Sequence, residues 1–148
     1  MKPIGGVKIK VNGDKIESFP ISCEYKDLQD YKFFCFDGLV KFFKIDFNRF
    51  VEHHANYYSS NGELLPFGEK GLEPDPNHVE VMPANLSEMI SIADRLSNGF
   101  TFLRVDLYNV EGRIYFGELT FYPAAGFGKF TPVGWDERLG ELIKLHKF

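Results

Sequence analysis

Cysteine is scarce: only Cys23 and Cys35 occur, too few for the disulfide framework of a small secreted domain and without the paired spacing of a zinc site. That scarcity fits a reduced, cytoplasmic setting. No stretch reaches the roughly 18 consecutive apolar residues of a membrane-spanning helix. The start of the chain, Met1 to Val11, alternates lysine with valine and isoleucine where a signal peptide would have a continuous apolar core. Basic residues are scattered and the net charge is -4, so no lysine-arginine stripe is present to neutralise a phosphate backbone, which argues against nucleic acid as a partner. Internal repeats and low-complexity tracts are missing as well.

Core material, by contrast, is plentiful. With 148 residues, 44% of them apolar and 16 of them Phe, the chain can bury a core without a metal or a disulfide, and a single domain over residues 1–148 is expected. Within it, residues 1–29 read as a hairpin and lead-in: Val7, Ile9 and Val11 alternate with Lys8 and Lys10 before the turn-forming pair Asn12-Gly13. Tyr31 to Phe36 and Leu39 to Phe47, both rich in aromatic and branched residues, flank Asp37-Gly38 and predict a second hairpin. From Asn48 to Pro83, prolines and glycines leave no sustained period, so a long, mostly irregular excursion is expected.

Asn85 and Glu88 have the spacing of a capping box, and Leu86, Met89, Ile90, Ala93 and Leu96 form an apolar stripe that Gly99 would end. Phe102 to Asn109 and Arg113 to Phe121 predict two more strands, and a last helix is expected from about Asp136 to Lys147, with Leu139, Leu142, Ile143 and His146 on one face. Strand pairs alternating with helices in blocks give an α+β class: an antiparallel sheet covered by helices on one face.

The last strand pair carries the chemistry, because Arg104, Asp106, Glu118 and Thr120 stand among apolar neighbours. A three-residue loop, Val110-Glu111-Gly112 with Gly112 left-handed, would set Arg104 opposite Glu118, Phe102 opposite Thr120 and Asp106 opposite Phe116. All four polar side chains would then share one face, leaving Leu103, Val105, Leu107, Leu119 and Phe121 on the other. The two carboxylates would lie diagonally, about 7 to 8 Å apart, with room for Mg2+ between them. A two-residue loop would put them on opposite faces. Without a ligand, Arg104 and Glu118 read simply as a cross-strand ion pair on a solvated face. The small-residue loop that follows, Pro123 to Lys129 with Gly126 and Gly128, can bring backbone amides to an anion. It is no P-loop, since Phe130 follows Lys129 and the earlier glycine is missing.

Asp30-Tyr31-Lys32-Phe33, Leu103-Arg104-Val105-Asp106-Leu107-Tyr108, Gly117-Glu118-Leu119-Thr120-Phe121-Tyr122-Pro123 and Gly126-Phe127-Gly128-Lys129-Phe130 together resemble the TupA-like ATP-grasp family of teichuronopeptide biosynthesis. Asp46 to Phe50 and Glu63 to Phe67 resemble further family segments, so the likeness runs from about Asp30 to the end. It implies the carboxyl-terminal half of an ATP-grasp ligase, with residues 30–148 as its C-terminal subdomain, acting in cell-surface polysaccharide biosynthesis. Its cofactors would be ATP and Mg2+. Arg104 would act on the transferred phosphoryl group, Lys32 and Arg104 would contact nucleotide, and Asp106, Glu118 and Thr120 would hold metal, the threonine standing where many such ligases have asparagine. Pro123, Gly126 and Lys129 would border the substrate, a small-molecule or glycan-linked carboxylate. Cys23-Glu24-Tyr25 would be what remains of an adenine-contacting hinge. His53 and His54 lie in the excursion, where family members often carry arginines nearby, a departure that bears on acceptor binding, and no residue stands out as the base for the amine. Three readings follow: a ligase half completed by a separate polypeptide, a noncatalytic remnant or binding module, or a piece of a longer enzyme exposing an apolar docking patch.

Overall fold

The computed structural model describes the backbone of residues 7–12, 15–20, 29–47 and 52–145, and the side chains of the last two ranges. β1 (Val7–Asn12) and β2 (Lys15–Pro20) pair antiparallel, with Asn12 opposite Lys15. Residue 13 of the expected turn and the segment Cys23-Glu24-Tyr25 lie outside the described residues.

β3 (Asp30–Phe36) and β4 (Leu39–Phe47) join through Asp37 and Gly38, whose positive φ angles of 48° and 75° make the tight turn expected of an Asp-Gly pair. They form the centre of a five-stranded antiparallel sheet ordered β5-β4-β3-β7-β8, where β5 is His54–Ser59, β7 is Phe102–Val110 and β8 is Arg113–Thr120. Alternation sends Phe33, Cys35, Phe43, Ile45, Leu103 and Val105 to one face, where each is fully buried. α1 (Leu86–Ser97) lies across that face through Met89 and Ala93, with Leu86 and Ile90 partly buried beside them. The expected capping box is not made. Asn85 starts the helix, but its side-chain amide donates to the Gly112 carbonyl at 2.9 Å and accepts from Asn109 at 2.7 Å. The residue that would have capped the helix instead fastens it to the β7–β8 turn.

The opposite face holds a second cluster in which Phe34, Phe36, Phe42 and Tyr57 pack with Phe67 and with Leu139 of α2 (Trp135–Gly140). This helix is shorter than the expected span from Asp136 to Lys147; Ile143 is half exposed beyond its end, and His146 lies outside the described residues.

The described part of the excursion after Asn48 is mostly irregular, but it contains β5, which the sequence reading did not place, and also β6 (Gly68–Glu69), which pairs with β9 (Phe130–Thr131). Tertiary context makes β5. Tyr58 stacks on Phe43 across the ladder at 5.6 Å, and the fully buried Asn56 both donates to the Asp75 carbonyl and accepts from its N–H. No helix among the described residues is long and apolar enough to cross a membrane.

Candidate functional site

The β7–β8 turn contains two residues, Glu111 and Gly112, both with positive φ, and Val110 pairs with Arg113. Taken alone, this would set Asp106 and Glu118 on opposite faces. The ladder instead slips by one residue further along: Leu107 faces Phe116 and Asp106 faces Glu118, which leaves Gly117 as a β-bulge. Glycine is required there, because a Cβ would sit 2.8 Å from the Asp106 carbonyl oxygen. The residue expected as a third member of the turn is thus found inside β8.

The consequence for the site is specific. Arg104 lies opposite Thr120, not Glu118, and the two carboxylates are directly opposed instead of diagonal. All four side chains still meet on one face. Arg104 Nε and Nη2 donate to the two oxygens of Asp106 at 2.8 and 2.9 Å, and Nη2 also reaches Glu118 Oε1 at 3.0 Å. Thr120 Oγ1 donates to the same Glu118 oxygen at 3.4 Å. Asp106 is almost entirely buried whereas the Glu118 side chain is 64% exposed, so the pair runs from sheet interior to solvent. Burial pushes the Asp106 carboxyl above its usual value, and hydrogen bonds from Arg104 with the charge of Lys32 pull it back only in part. For Arg104, burial works against the charge, and its bonds to Asp106 with the field of Glu118 outweigh that loss.

Charge continues across the sheet in alternation. Lys32, opposite Asp106 on β3, bonds Asp30 and comes within 3.3 Å of Asp106 and 3.8 Å of Asp46. Lys44 on β4 sits 3.6 Å from Asp46 and 3.0 Å from Glu69, which also accepts the Tyr57 hydroxyl at 3.1 Å. His53 reaches Asp46 at 3.1 Å, and His54, the first residue of β5, contacts the Glu73 carbonyl at 2.8 Å. Burial lowers the Lys32 ammonium, but Asp106, Asp30 and Asp46 together more than reverse it and leave it raised.

Sequence reasoning missed Lys44, Asp46 and Glu69 as neighbours of the site. Lys44 and Asp46 share the parity of Phe42 in β4, so strict period-two reading of that strand contained the signal. Glu69 carried none, lying in the segment read as irregular.

The loop after β8 folds over this face. Pro123–Gly126 forms a single turn in which Ala124, Ala125 and Gly126 all have positive φ, a conformation that disfavours alanine. Pro123 and Lys129 border a cleft of about 70 Å³ whose inner wall carries Lys44, Arg104 and Glu69, and Gly126 lines the adjoining groove. The Lys129 backbone carbonyl accepts from Lys70, while its exposed side chain makes no ion pair among the described residues.

Asp106, Glu118 and Thr120 supply hard oxygens of the kind magnesium takes, and no group of three or more acidic, histidine or cysteine side chains is gathered into a metal cage among the described residues. One or two carboxylates completed by substrate phosphates and water is the ordinary magnesium arrangement, so the donor set fits such an ion in kind. Any ion there would take over carboxylate oxygens now held by Arg104.

Comparison with curated proteins finds no match, and neither does comparison with solved structures. The family model described as TupA-like ATP-grasp matches residues 14–144, beginning upstream of the motifs that carry the resemblance and spanning β3 to α2 with every residue of the charged face. The chain belongs to the TupA-like ATP-grasp family.

Proposed function

We propose that the chain is an ATP-dependent carboxylate–amine ligase component whose charged face binds Mg-ATP beside a carboxylic acid. The observation that carries this reading is the fork of Arg104 across two directly opposed carboxylates, held in register by a bulge that admits only glycine. Asp106, Glu118 and Thr120 would hold Mg2+, which would neutralise phosphate charge as it moves. Arg104 would follow the phosphoryl group, and Lys32 would reach the nucleotide from β3.

In the reaction, a substrate carboxylate oxygen attacks the γ-phosphorus and the bond to the bridging oxygen breaks, releasing ADP and an acyl phosphate. The amine nitrogen then attacks the acyl carbon, the acyl C–O bond breaks with its electron pair going to the departing phosphate, and the amine proton passes to solvent. Pro123, Gly126 and Lys129 would border the acid. A separate polypeptide supplying the other wall of the nucleotide site belongs to the same proposal. The link to surface polysaccharide rests on the family alone, and ATP as co-substrate fits a cytoplasmic setting.

One observation favours a second reading. Both Asp106 oxygens are already held by Arg104, with Lys32 beside them, so the face is internally neutralised and can serve as a binding module without turnover. Calorimetric titration with ATP, with and without magnesium, separates the two. The ligase reading expects magnesium-dependent binding that falls at least about tenfold in Asp106→Asn and in Glu118→Gln. No binding, or binding indifferent to both substitutions, would leave the module.

A further inference from the structure

One cation already sits between the two opposed carboxylates of the charged face. Arg104 Nη2 donates to Asp106 Oδ2 at 2.9 Å and to Glu118 Oε1 at 3.0 Å, so a single nitrogen bridges the pair, and Nε takes the other Asp106 oxygen at 2.8 Å. Thr120 Oγ1 donates to the same Glu118 oxygen at 3.4 Å. Both Asp106 oxygens and one Glu118 oxygen are thereby held by one guanidinium. Lys32 adds a second cation 3.3 Å from Asp106 Oδ2, but it is also bonded to Asp30 and makes no ion pair with Glu118 among the described residues. Arg104 has a second neighbourhood as well: it lines the cleft under the loop after β8, together with Lys44, Glu69, Gly128 and Lys129.

We infer that Arg104 is a built-in counter-cation that keeps divalent metal off Asp106 and Glu118, and that nucleotide phosphate draws the guanidinium toward the cleft, so that metal enters only with nucleotide. This deepens the ligase reading and rests on it. A divalent ion coordinated by both carboxylates would be brought against the bridging nitrogen, like charge on like charge. Metal alone would also strand the guanidinium, whose side chain is only 13% exposed, without a partner, and an unpaired buried charge is strongly unfavourable. Phosphate removes that cost, because its oxygens accept the parallel N–H bonds of an arginine fork as carboxylate oxygens do. A ligand shifts such an equilibrium only by binding one position better than the other, and phosphate pairs with the fork only when the fork has left Asp106. The coupling is reciprocal, so the same exchange makes nucleotide binding depend on magnesium.

The test begins with Mn2+ titrated by calorimetry into the 148-residue chain without nucleotide. Arg104→Met should bind Mn2+ at least about tenfold more tightly than the wild-type chain, and Asp106→Asn added to Arg104→Met should remove that gain. Thermal unfolding gives a second readout. Arg104→Met should melt lower than the wild type because Asp106 loses its fork, and Mn2+ should restore part of the loss while leaving the wild-type Tm unmoved. Should Arg104→Met not fold, Arg104→Lys carries the same titration: a point charge cannot hold both Asp106 oxygens and Glu118 as the fork does, and a smaller gain of the same sign is expected. In the wild-type chain, the nuclear magnetic resonance signal of the Arg104 Nε–H should stay in place with Mg2+ alone and move with Mg2+ and a non-hydrolysable ATP analogue. Wild-type binding of Mn2+ as tight as in the variant, a folded variant with no gain, or an Arg104 signal that Mg2+ moves by itself would each overturn the inference. So would an Arg104 signal that stays in place while calorimetry shows the analogue bound, a result that spares the ligase reading. Absence of any nucleotide binding would sink the ligase reading and with it the claim that nucleotide draws Arg104 away, whereas the Mn2+ gain would still assign Arg104 as the cation that keeps metal out.

Discussion

The two faces of the central sheet are built from the same strands and are buried to a similar depth, yet they obey different rules. On the α1 side, Phe33, Phe43 and Val105 are fully inaccessible to water and belong to one apolar cluster. One residue away in each strand, Lys32, Lys44 and Asp106 are also mostly buried, but as ions held by ions. Apolar burial stabilises a fold directly, whereas a buried ion pair returns roughly what its desolvation removes and is often no better than a hydrophobic substitute. The first face, with the aromatic cluster of Phe34, Phe36, Phe42 and Tyr57 on the second, is therefore sufficient to explain why the sheet is stable, whereas the charged part of the second face adds little net stability of its own.

The comparison breaks most visibly if the apolar face is cut. Phe43→Ala removes a ring that packs on Phe33 at 5.4 Å and on Tyr58 at 5.6 Å. It should lower unfolding free energy by about 3 to 5 kcal/mol, measured by urea titration, while any folded fraction keeps its nucleotide affinity. A loss of affinity greater than the loss of folded protein would mean that the faces are not separable.

Gly117→Ala acts on the other side with a smaller effect on stability. Its methyl would meet the Asp106 backbone oxygen at 2.8 Å, and relieving that contact must shift one strand against the other. Overpacking of this kind destabilises by about 2 kcal/mol. Because the bulge sets Glu118 opposite Asp106, magnesium-dependent nucleotide binding should fall far more than stability does. Unchanged binding in a well-folded variant would show that the bulge does not set the site.

The same glycine explains how much of the site could be read in advance. Strand alternation and a required one-residue offset were enough to gather Arg104, Asp106, Glu118 and Thr120 on one face, because the face depends only on whether one extra residue exists between the two ends. Where it sits was not legible: Gly112 and Gly117 are both plausible bulge positions in sequence, and only the Asp106 carbonyl distinguishes them. The hairpin around Asp37-Gly38 was legible because turn chemistry is local. β5 was not, because its pairing and its buried Asn56 depend on β4 and on Asp75. The left-handed Ala124 and Ala125 carried no signal either, since positive φ is uncommon outside glycine and the enriched residues are Asn, Asp and His.

The smallest effect is in alkaline solution, where both faces lose stability for one reason. Tyr31, on the α1 face, is raised to about 12 by burial and by Glu80. On the charged face Lys32 is raised because Asp106, Asp30 and Asp46 outweigh its burial. Each group holds its proton in the folded chain at a pH where the unfolded chain has released it. Both contributions are therefore complete below the ordinary values of about 10 for tyrosine and 10.4 for lysine, and are lost as pH rises through the folded values. Each group can add a slope of at most about 1.4 kcal/mol per pH unit within its own window. Urea titrations from pH 8 upward should show stability falling beyond about pH 10, with a shallower fall in Tyr31→Phe and in Lys32→Gln. The two variants differ below that range: Tyr31→Phe should leave neutral-pH stability nearly unchanged, whereas Lys32→Gln should lower it because Asp30, Asp46 and Asp106 lose a shared cation. Equal behaviour of the two at neutral pH would show that the charged face does not need Lys32 to hold its acids together.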